Sequence, residues 1–597
     1  MPPKWRRGAG RAGCGTTPSP CWGRCCEGGP RREGEVQLPT WLKRLLDGFS
    51  DMGLVVGAVL FALALTPSLL PRDALVQGVL SGCAFGIGYG IGVSLEWLWA
   101  YMGFKLPASR YTYWLKLAAA VGCVVLMVAC LYQTAGWQNS VRAVMGLEPV
   151  EARHPIWVVL IAIVPAAILI YLGKLLAYGV AVVSRWLVRF VPRRVALVGS
   201  LVVVGIVAIT LVNGVLMRGA LRAADEFFLR LDGVAGQFGD PPQIALRSGS
   251  AASLIAWSSI GRDGRIYANS GPSKADIETV IGRPALEPIR VSVGLRSAPT
   301  TEARAELALA ELKRTGAFDR SVLVIVTPVG TGWVDPAGMD TLEYLLAGDV
   351  ASVSLQYSYL LSPLSLLVEP DYGIEAAEAL FNAVYDYWTT LPHASRPHLY
   401  LSGLSLGAHA SQASTQFFDV LQDPFQGALW VGPPFTSGVW RWATNNRRPG
   451  TPEWLPSFGN RTVIRFTNQG SGLTIADVPW GPMRIAFMQH ASDPIVFFDY
   501  ATLHRAPDWL KGQRGADVSP ILNWYPVVTF LQLVMDMALA LDVPPGYGHN
   551  YSADNYIDAW MALVEPPGWD AAALARLKVE VAARLAAVHQ DKSPVPK

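Results

Sequence analysis

Charge is scarce in this chain: Asp, Glu, Lys and Arg make up 16% of its 597 residues, against 51% hydrophobic residues. A soluble domain carries nearer a quarter charged residues, so part of this one is expected to live in lipid. The net charge is only +3, and no basic stripe with interleaved aromatics occurs in the second half, which argues against a nucleic-acid partner. Cysteine is absent after Cys130. Disulfides, thiolate ligands and a cysteine nucleophile are therefore excluded from the C-terminal two thirds. Cys14, Cys21, Cys25 and Cys26 crowd the N-terminus, where Gly, Pro and Arg supply no hydrophobic pattern that could fold around a metal. Residues 1–38 are read as a disordered basic tail.

Long apolar runs are what the chain does have. After a short interfacial helix at 39–50, stretches at about 52–70, 75–95, 112–132, 156–173 and 195–217 each approach the ~20 residues that span a bilayer. The region 39–217 is thus expected to be a helical transmembrane domain of about five spans. Basic residues collect in alternate connections: Arg31, Arg32, Lys43 and Arg44; Lys105 and Arg110; Lys174, Arg185, Arg189, Arg193 and Arg194. The positive-inside rule then places the N-terminus in the cytoplasm and residues after about 218 outside it. A sixth span within 175–191 would reverse that. Gly78, Gly82, Gly86 and Gly90 share one face of the second span. They suit close packing inside the bundle, or alternatively a homo-oligomer seam. No acidic or histidine pair lies mid-membrane, so a transport or proton-relay role has little support.

Beyond residue 218 short β-rich runs alternate with helical stretches, as in an α/β domain with a mostly parallel sheet. Strands are expected at Ile289–Val293, Val322–Thr327, Val350–Gln356, His398–Leu401, Gly427–Val431, Val463–Phe466 and Arg484–Met488. Helices are expected at about 301–315, 374–390, 406–420 and 526–541; the last is apolar nearly all round, fit for core or for a lid on the membrane.

One segment carries chemistry. Gly403-Leu404-Ser405-Leu406-Gly407 falls at an expected strand-to-helix junction, where a sharp turn lifts the serine hydroxyl above the sheet and aims a helix N-terminus at a developing oxyanion. A serine needs a base, and the base an orienting acid, in the chain order serine, acid, histidine. His549 lies in a rigid Gly/Pro loop and is the expected base, with His504 as runner-up; His409 sits on the nucleophile's own helix and His589 in a terminal helix. Asp493 follows the last expected strand and is the expected acid, with Asp499 and Asp477 as alternatives and helix capping as its plain structural role. Oxyanion donors are expected from the amide of Leu406 and from Gly330 or Thr331 in the glycine-rich loop after Val322–Thr327. That loop lacks the Lys-Ser/Thr ending of a phosphate-binding loop.

Gly261–Arg265, Thr327–Pro336, Gly403–Gly407, Ser492-Asp493-Pro494 and Pro545–Tyr551 together resemble the bacterial α/β-hydrolase family with an N-terminal multi-span membrane domain. The likeness spans roughly residues 40–590. It implies an N-terminal transmembrane bundle followed by an α/β-hydrolase fold at 218–597, but no defined substrate. The leading expectation is a serine hydrolase of the bacterial inner membrane, cleaving an acyl ester of a lipid or cell-envelope component through an acyl-serine intermediate. An acyltransferase with the same residues is the second reading, and a catalytically silent binding module on a membrane anchor the third. Neither a metal nor an organic cofactor is implied.

Overall fold

The computed structural model describes residues 48–104, 110–150, 155–212, 214, 240–359, 370–415, 420–470, 472–474 and 478–591. The basic tail, most of the interfacial helix, the expected boundary at 217/218 and Asp477 lie outside them. The chain divides into Met1–Phe49 and a compact unit Ser50–Lys597, which holds both the apolar helices and the sheet.

The N-terminal helices are α1 (Asp51–Ala64), α2 (Ala74–Tyr101), α3 (Arg110–Val144), α4 (Pro155–Leu187) and α5 (Arg193–Thr210). Among the described residues, α2 to α5 are long and apolar enough to cross a membrane. The first expected span is different. Its helix has 14 residues, because Thr66-Pro67-Ser68 breaks it and the chain turns into the rest of the protein. Residues 175–191 do not form a separate element: α4 runs unbroken through Leu187. The ends of α1 and α3 and the starts of α2 and α4 lie toward the sheet. The opposite helix ends meet through the Asp51–Lys116 ion pair.

The glycine face of α2 is filled within the chain. A side-chain carbon added at Gly78 would come within 2.7 Å of Ile161, one at Gly82 would overlap the Ala162 carbonyl, and one at Gly86 would lie 2.8 Å from Leu169, all on α4. The intramolecular seam is thus the arrangement seen at these three positions. Gly90 has nothing within 4 Å of such a carbon. Gly82→Leu is expected to destabilise by about 1–3 kcal/mol through overpacking, while Gly90→Leu changes stability by less than about 0.5 kcal/mol; thermal unfolding of the two variants in micelles checks the contrast.

The sheet contains seven strands among the described residues: β1 (Ile289–Val293), β2 (Val322–Thr327), β3 (Val350–Leu355), β4 (His398–Leu404), β5 (Gly427–Val431), β6 (Ile464–Thr467) and β7 (Arg484–Met488). All pair in parallel, in the order β1-β3-β2-β4-β5-β7-β6. Nearly every strand residue is buried, as a sheet covered on both faces requires, and this explains runs of Val, Ile and Leu without alternation. Flanking helices include α6 (Thr301–Thr315), α7 (Pro336–Leu345), α8 (Pro370–Thr389), α9 (Leu406–Ala413), α10 (Val528–Ala538) and α11 (Ala553–Val564). Strand β2 connects toward β3 and its neighbour β4 toward β5. The two loops leave in opposite directions and open a crevice at the strands' C-terminal ends.

The bundle and the sheet share a core. Leu69 and Leu70, between α1 and α2, are fully buried in the cluster that includes Ile325, Leu401 and Phe487. Apolar helix α10 packs on α1 and α2, with Val528 against Ala64, Leu80 and Ala84. Its Asp536 accepts from the Ser68 hydroxyl at 2.9 Å and the Leu69 amide at 3.0 Å. Burial pushes this carboxyl up to about 6, against the pull of Arg72. The native state therefore binds the proton more tightly than the unfolded chain does, and stability falls as pH rises from about 4 through about 6. Thermal unfolding should show this loss, up to about 3 kcal/mol, and Asp536→Asn should flatten it.

Candidate active site

Register brings the strand ends into line. Thr327 of β2 pairs with Gly403 of β4, and Val431 of β5 pairs with both Leu404 and Met488 of β7. Side chains just past these ends therefore converge over one edge of the sheet. Ser405, directly after β4, has φ 55° and ψ −121°, a left-handed conformation that costs a non-glycine residue of order 1–3 kcal/mol. Its amide donates to the Val431 carbonyl at 2.9 Å, which pins the turn to the neighbouring strand. Helix α9 starts at the next residue. Both glycines of the pentapeptide mark close approach: a side chain at Gly407 would overlap the Thr327 carbonyl, and one at Gly403 the backbone of Gly407. The start of α9 is thereby pressed against the end of β2, and the Leu406 amide stands beside the loop that follows β2.

That loop is held from two sides. The Gly330 carbonyl accepts from the Ser358 amide at 2.9 Å, and Gly332 N–H closes a turn onto Val329 at 2.8 Å. The Thr331 hydroxyl donates to Asp263 at 2.5 Å. This gives the Gly261-Arg262-Asp263-Gly264-Arg265 motif a physical role that sequence reasoning did not assign. Among the described residues, the Gly330 and Thr331 amides have no acceptor.

Asp493 and His549 lie far apart in sequence and meet in space. His549 Nδ1 donates to Asp493 Oδ2 at 2.7 Å, and both residues are buried. Asp493 Oδ1 accepts from the Ile495 amide at 2.9 Å, capping the short helix Pro494–Phe497. Capping and facing the histidine are thus two jobs of one carboxylate, an oxygen each. With Nδ1 donating, His549 Nε2 is the acceptor nitrogen of the neutral ring; it is buried and has no hydrogen-bond partner among the described residues. The ring lies against Gly432, where a side-chain carbon would sit 2.6 Å from its Cε1. Gly432 follows Val431, the residue that holds the Ser405 amide. His549 thus stands beside the serine turn.

A supporting layer escaped the sequence reading. The Tyr551 hydroxyl donates to Asp493 Oδ2 at 2.7 Å. Burial, with the Asp493 carboxylate alongside, pushes this phenol well above its ordinary value and keeps it a donor. Asp517 accepts from the Ser492 hydroxyl at 2.7 Å and its amide at 2.9 Å, and Ser492 Oγ in turn accepts from Gly548 N–H at 2.9 Å. His490, whose pKa burial lowers, donates through Nδ1 to the Gly548 carbonyl at 2.9 Å and stacks on Tyr551. Tyr551 and Ser492 lie in motifs visible in the sequence. Asp517 lies in neither, and only the fold brings it near.

The other candidates lie elsewhere. His409 Nδ1 is 3.2 Å from Ser437 Oγ, with its pKa lowered by burial. His504 is exposed at the end of a short turn that Asp499 caps. The side chain of His589 lies outside the described residues. Among the described residues, no group of three His, Cys, Asp or Glu is placed to hold a metal.

Residues 289–577 match a family described as the alpha/beta-hydrolase family, and residues 65–272 match its N-terminal family. This chain belongs to that α/β-hydrolase family. The hydrolase assignment covers the sheet together with the serine turn, Asp493 and His549. The N-terminal match covers α2 to α5 and extends through the Asp263 motif. No curated protein and no solved structure matches this hydrolase.

Proposed function

We propose that this hydrolase is a membrane-anchored serine esterase that cleaves an acyl ester of a lipid or cell-envelope component. The observation that carries the reading is the 2.7 Å His549–Asp493 bond, with Nε2 left as acceptor beside the strained Ser405 turn. Ser405 Oγ attacks the acyl carbonyl while His549 Nε2 takes its proton. Asp493 holds the imidazole in the right tautomer and stabilises the cation that forms. The amides of Leu406 and of Gly330 or Thr331 meet the developing oxyanion, helped by the α9 N-terminus. The protonated histidine then gives its proton to the leaving alcohol. Water, activated by the same nitrogen, releases the acid and restores the serine.

An amphiphilic substrate is supported by the surroundings. Phe435, Phe498, Tyr500 and Phe530 form one aromatic cluster with ring centroids 5.0 to 5.5 Å apart. It runs from the segment after β5 to α10, which packs on α1 and α2, a path suited to an acyl chain. Basic residues gather on the connections away from the sheet, so the positive-inside rule puts the catalytic residues on the extracytoplasmic side.

A fluorophosphonate probe tests the proposal. Wild type is expected to label, and Ser405→Ala and His549→Ala are expected to lose labelling. A folded wild-type protein that does not label would overturn it.

A further inference from the structure

Where the ends of α2, α3 and α4 meet the segment leading to His549, they line a half-open cavity of about 700 Å³, within the ~300–1,000 Å³ range of small-molecule sites. Its walls are mostly apolar, with Val76, Leu131 and Val158 among them. Its polar part is unusual for what it leaves unpaired. Arg72 is 7% exposed and Gln138 5% exposed. Arg72 Nη2 donates to the Thr66 carbonyl at 2.6 Å, but Nε and Nη1 have no partner among the described residues. Gln138 gives its side-chain oxygen to the Arg72 amide at 2.8 Å, which fixes the orientation of the group and leaves its Nε2 donor unpaired. Gln77 Oε1, in the same lining, is an unpaired acceptor.

Buried donors without acceptors are costly, and those of a guanidinium more so. The neighbouring carboxylates do not fill the gap. Asp536 has its oxygens taken by Ser68 and Leu69. Asp73 caps α2 through the Val76 amide, and Asp542 is exposed to solvent.

We propose that this cavity binds an amphiphile with an anionic head group, its oxygens meeting Arg72 and Gln138 and its tail lying along Val76, Leu131 and Val158. Gln77 offers an acceptor to any hydroxyl that the head group carries. The site also reaches the catalytic loop. Val543 lines the cavity and packs on Gly548, the Ala540 carbonyl accepts from the His549 amide at 2.9 Å, and Leu70, two residues from Arg72, touches Gly548 as well.

Phosphatidylglycerol, oleate and inorganic phosphate, each added to the full chain in neutral micelles, are the probes. Native mass spectrometry counts what is retained, and thermal unfolding reads the stabilisation. One phosphatidylglycerol or one oleate per chain is expected; whichever is retained identifies the source of the head group. Gln138→Glu keeps the acceptor for the Arg72 amide while setting a carboxylate beside the guanidinium, and is expected to weaken retention at least tenfold. Ala135→Phe, which narrows the cavity, should do the same without touching the donors. Ser405→Ala should bind as wild type does, separating the site from turnover. The proposal fails if none of the three probes binds wild type, if phosphate binds as well as the lipids, or if Gln138→Glu and Ala135→Phe both bind like wild type.

Discussion

In Asp493→Asn, ester turnover is expected to fall about 10⁴-fold while the protein stays folded. The carboxylate does two jobs in one place. Its Oδ1 caps a helix at the Ile495 amide, and asparagine can keep that bond. Its Oδ2 accepts from both His549 Nδ1 and the Tyr551 hydroxyl, each at 2.7 Å. An amide nitrogen there confronts two donors and accepts from neither. The imidazole then turns or changes tautomer, and Nε2 is no longer left as the acceptor nitrogen. Kinetics on a soluble short-chain ester, with circular dichroism as the folding check, decide the matter. A loss of less than about tenfold would sink the assignment of Asp493 as the orienting acid.

Arg290→Met is expected to destabilise the hydrolase by about 3–5 kcal/mol. Arg290 on β1 is fully buried and pairs with Asp340 at 2.5 Å and Glu343 at 2.7 Å, both on α7. Burial pushes the Glu343 carboxyl up and Arg290 pulls it back down, so methionine leaves two buried acids without the guanidinium that bonds both. Helix α7 begins just after the Gly330–Trp333 loop, and the clamp therefore also holds the expected oxyanion donors. Thermal unfolding in micelles measures the loss. Adding Asp340→Leu and Glu343→Leu should restore most of it, because a well-packed apolar trio replaces a buried ion cluster at little net cost. No recovery would mean that Arg290 acts through shape alone.

Much of the seven-stranded sheet was legible because strands buried on both faces are nearly continuous apolar runs. Ile289–Val293, Val322–Thr327, Gly427–Val431 and Arg484–Met488 fall where the sequence placed them. The serine turn was legible for a local reason: five residues must satisfy one strained geometry, and glycine is needed where backbones touch. The first apolar stretch ends as a helix earlier than its hydropathy suggests. Its composition suits a span, but Thr66-Pro67 ends the helix and the residues that follow are buried in the core shared with the sheet. Hydropathy reports only that these residues avoid water, and a protein interior and a bilayer satisfy that equally.

Sequence by itself determined the family, the division into apolar helices and an α/β sheet, and which serine, acid and histidine to examine, since each is written in local pattern or in chain order. Tertiary structure decided the rest. It set Asp493 against His549, placed Tyr551 and Asp517 behind them, tied Thr331 to Asp263, and seated Leu70 under Gly548 in the loop that carries His549. Such contacts join residues tens to hundreds of positions apart, and no local pattern encodes them. They depend on strand register and on the packing of helix ends, which exist only once the chain has folded.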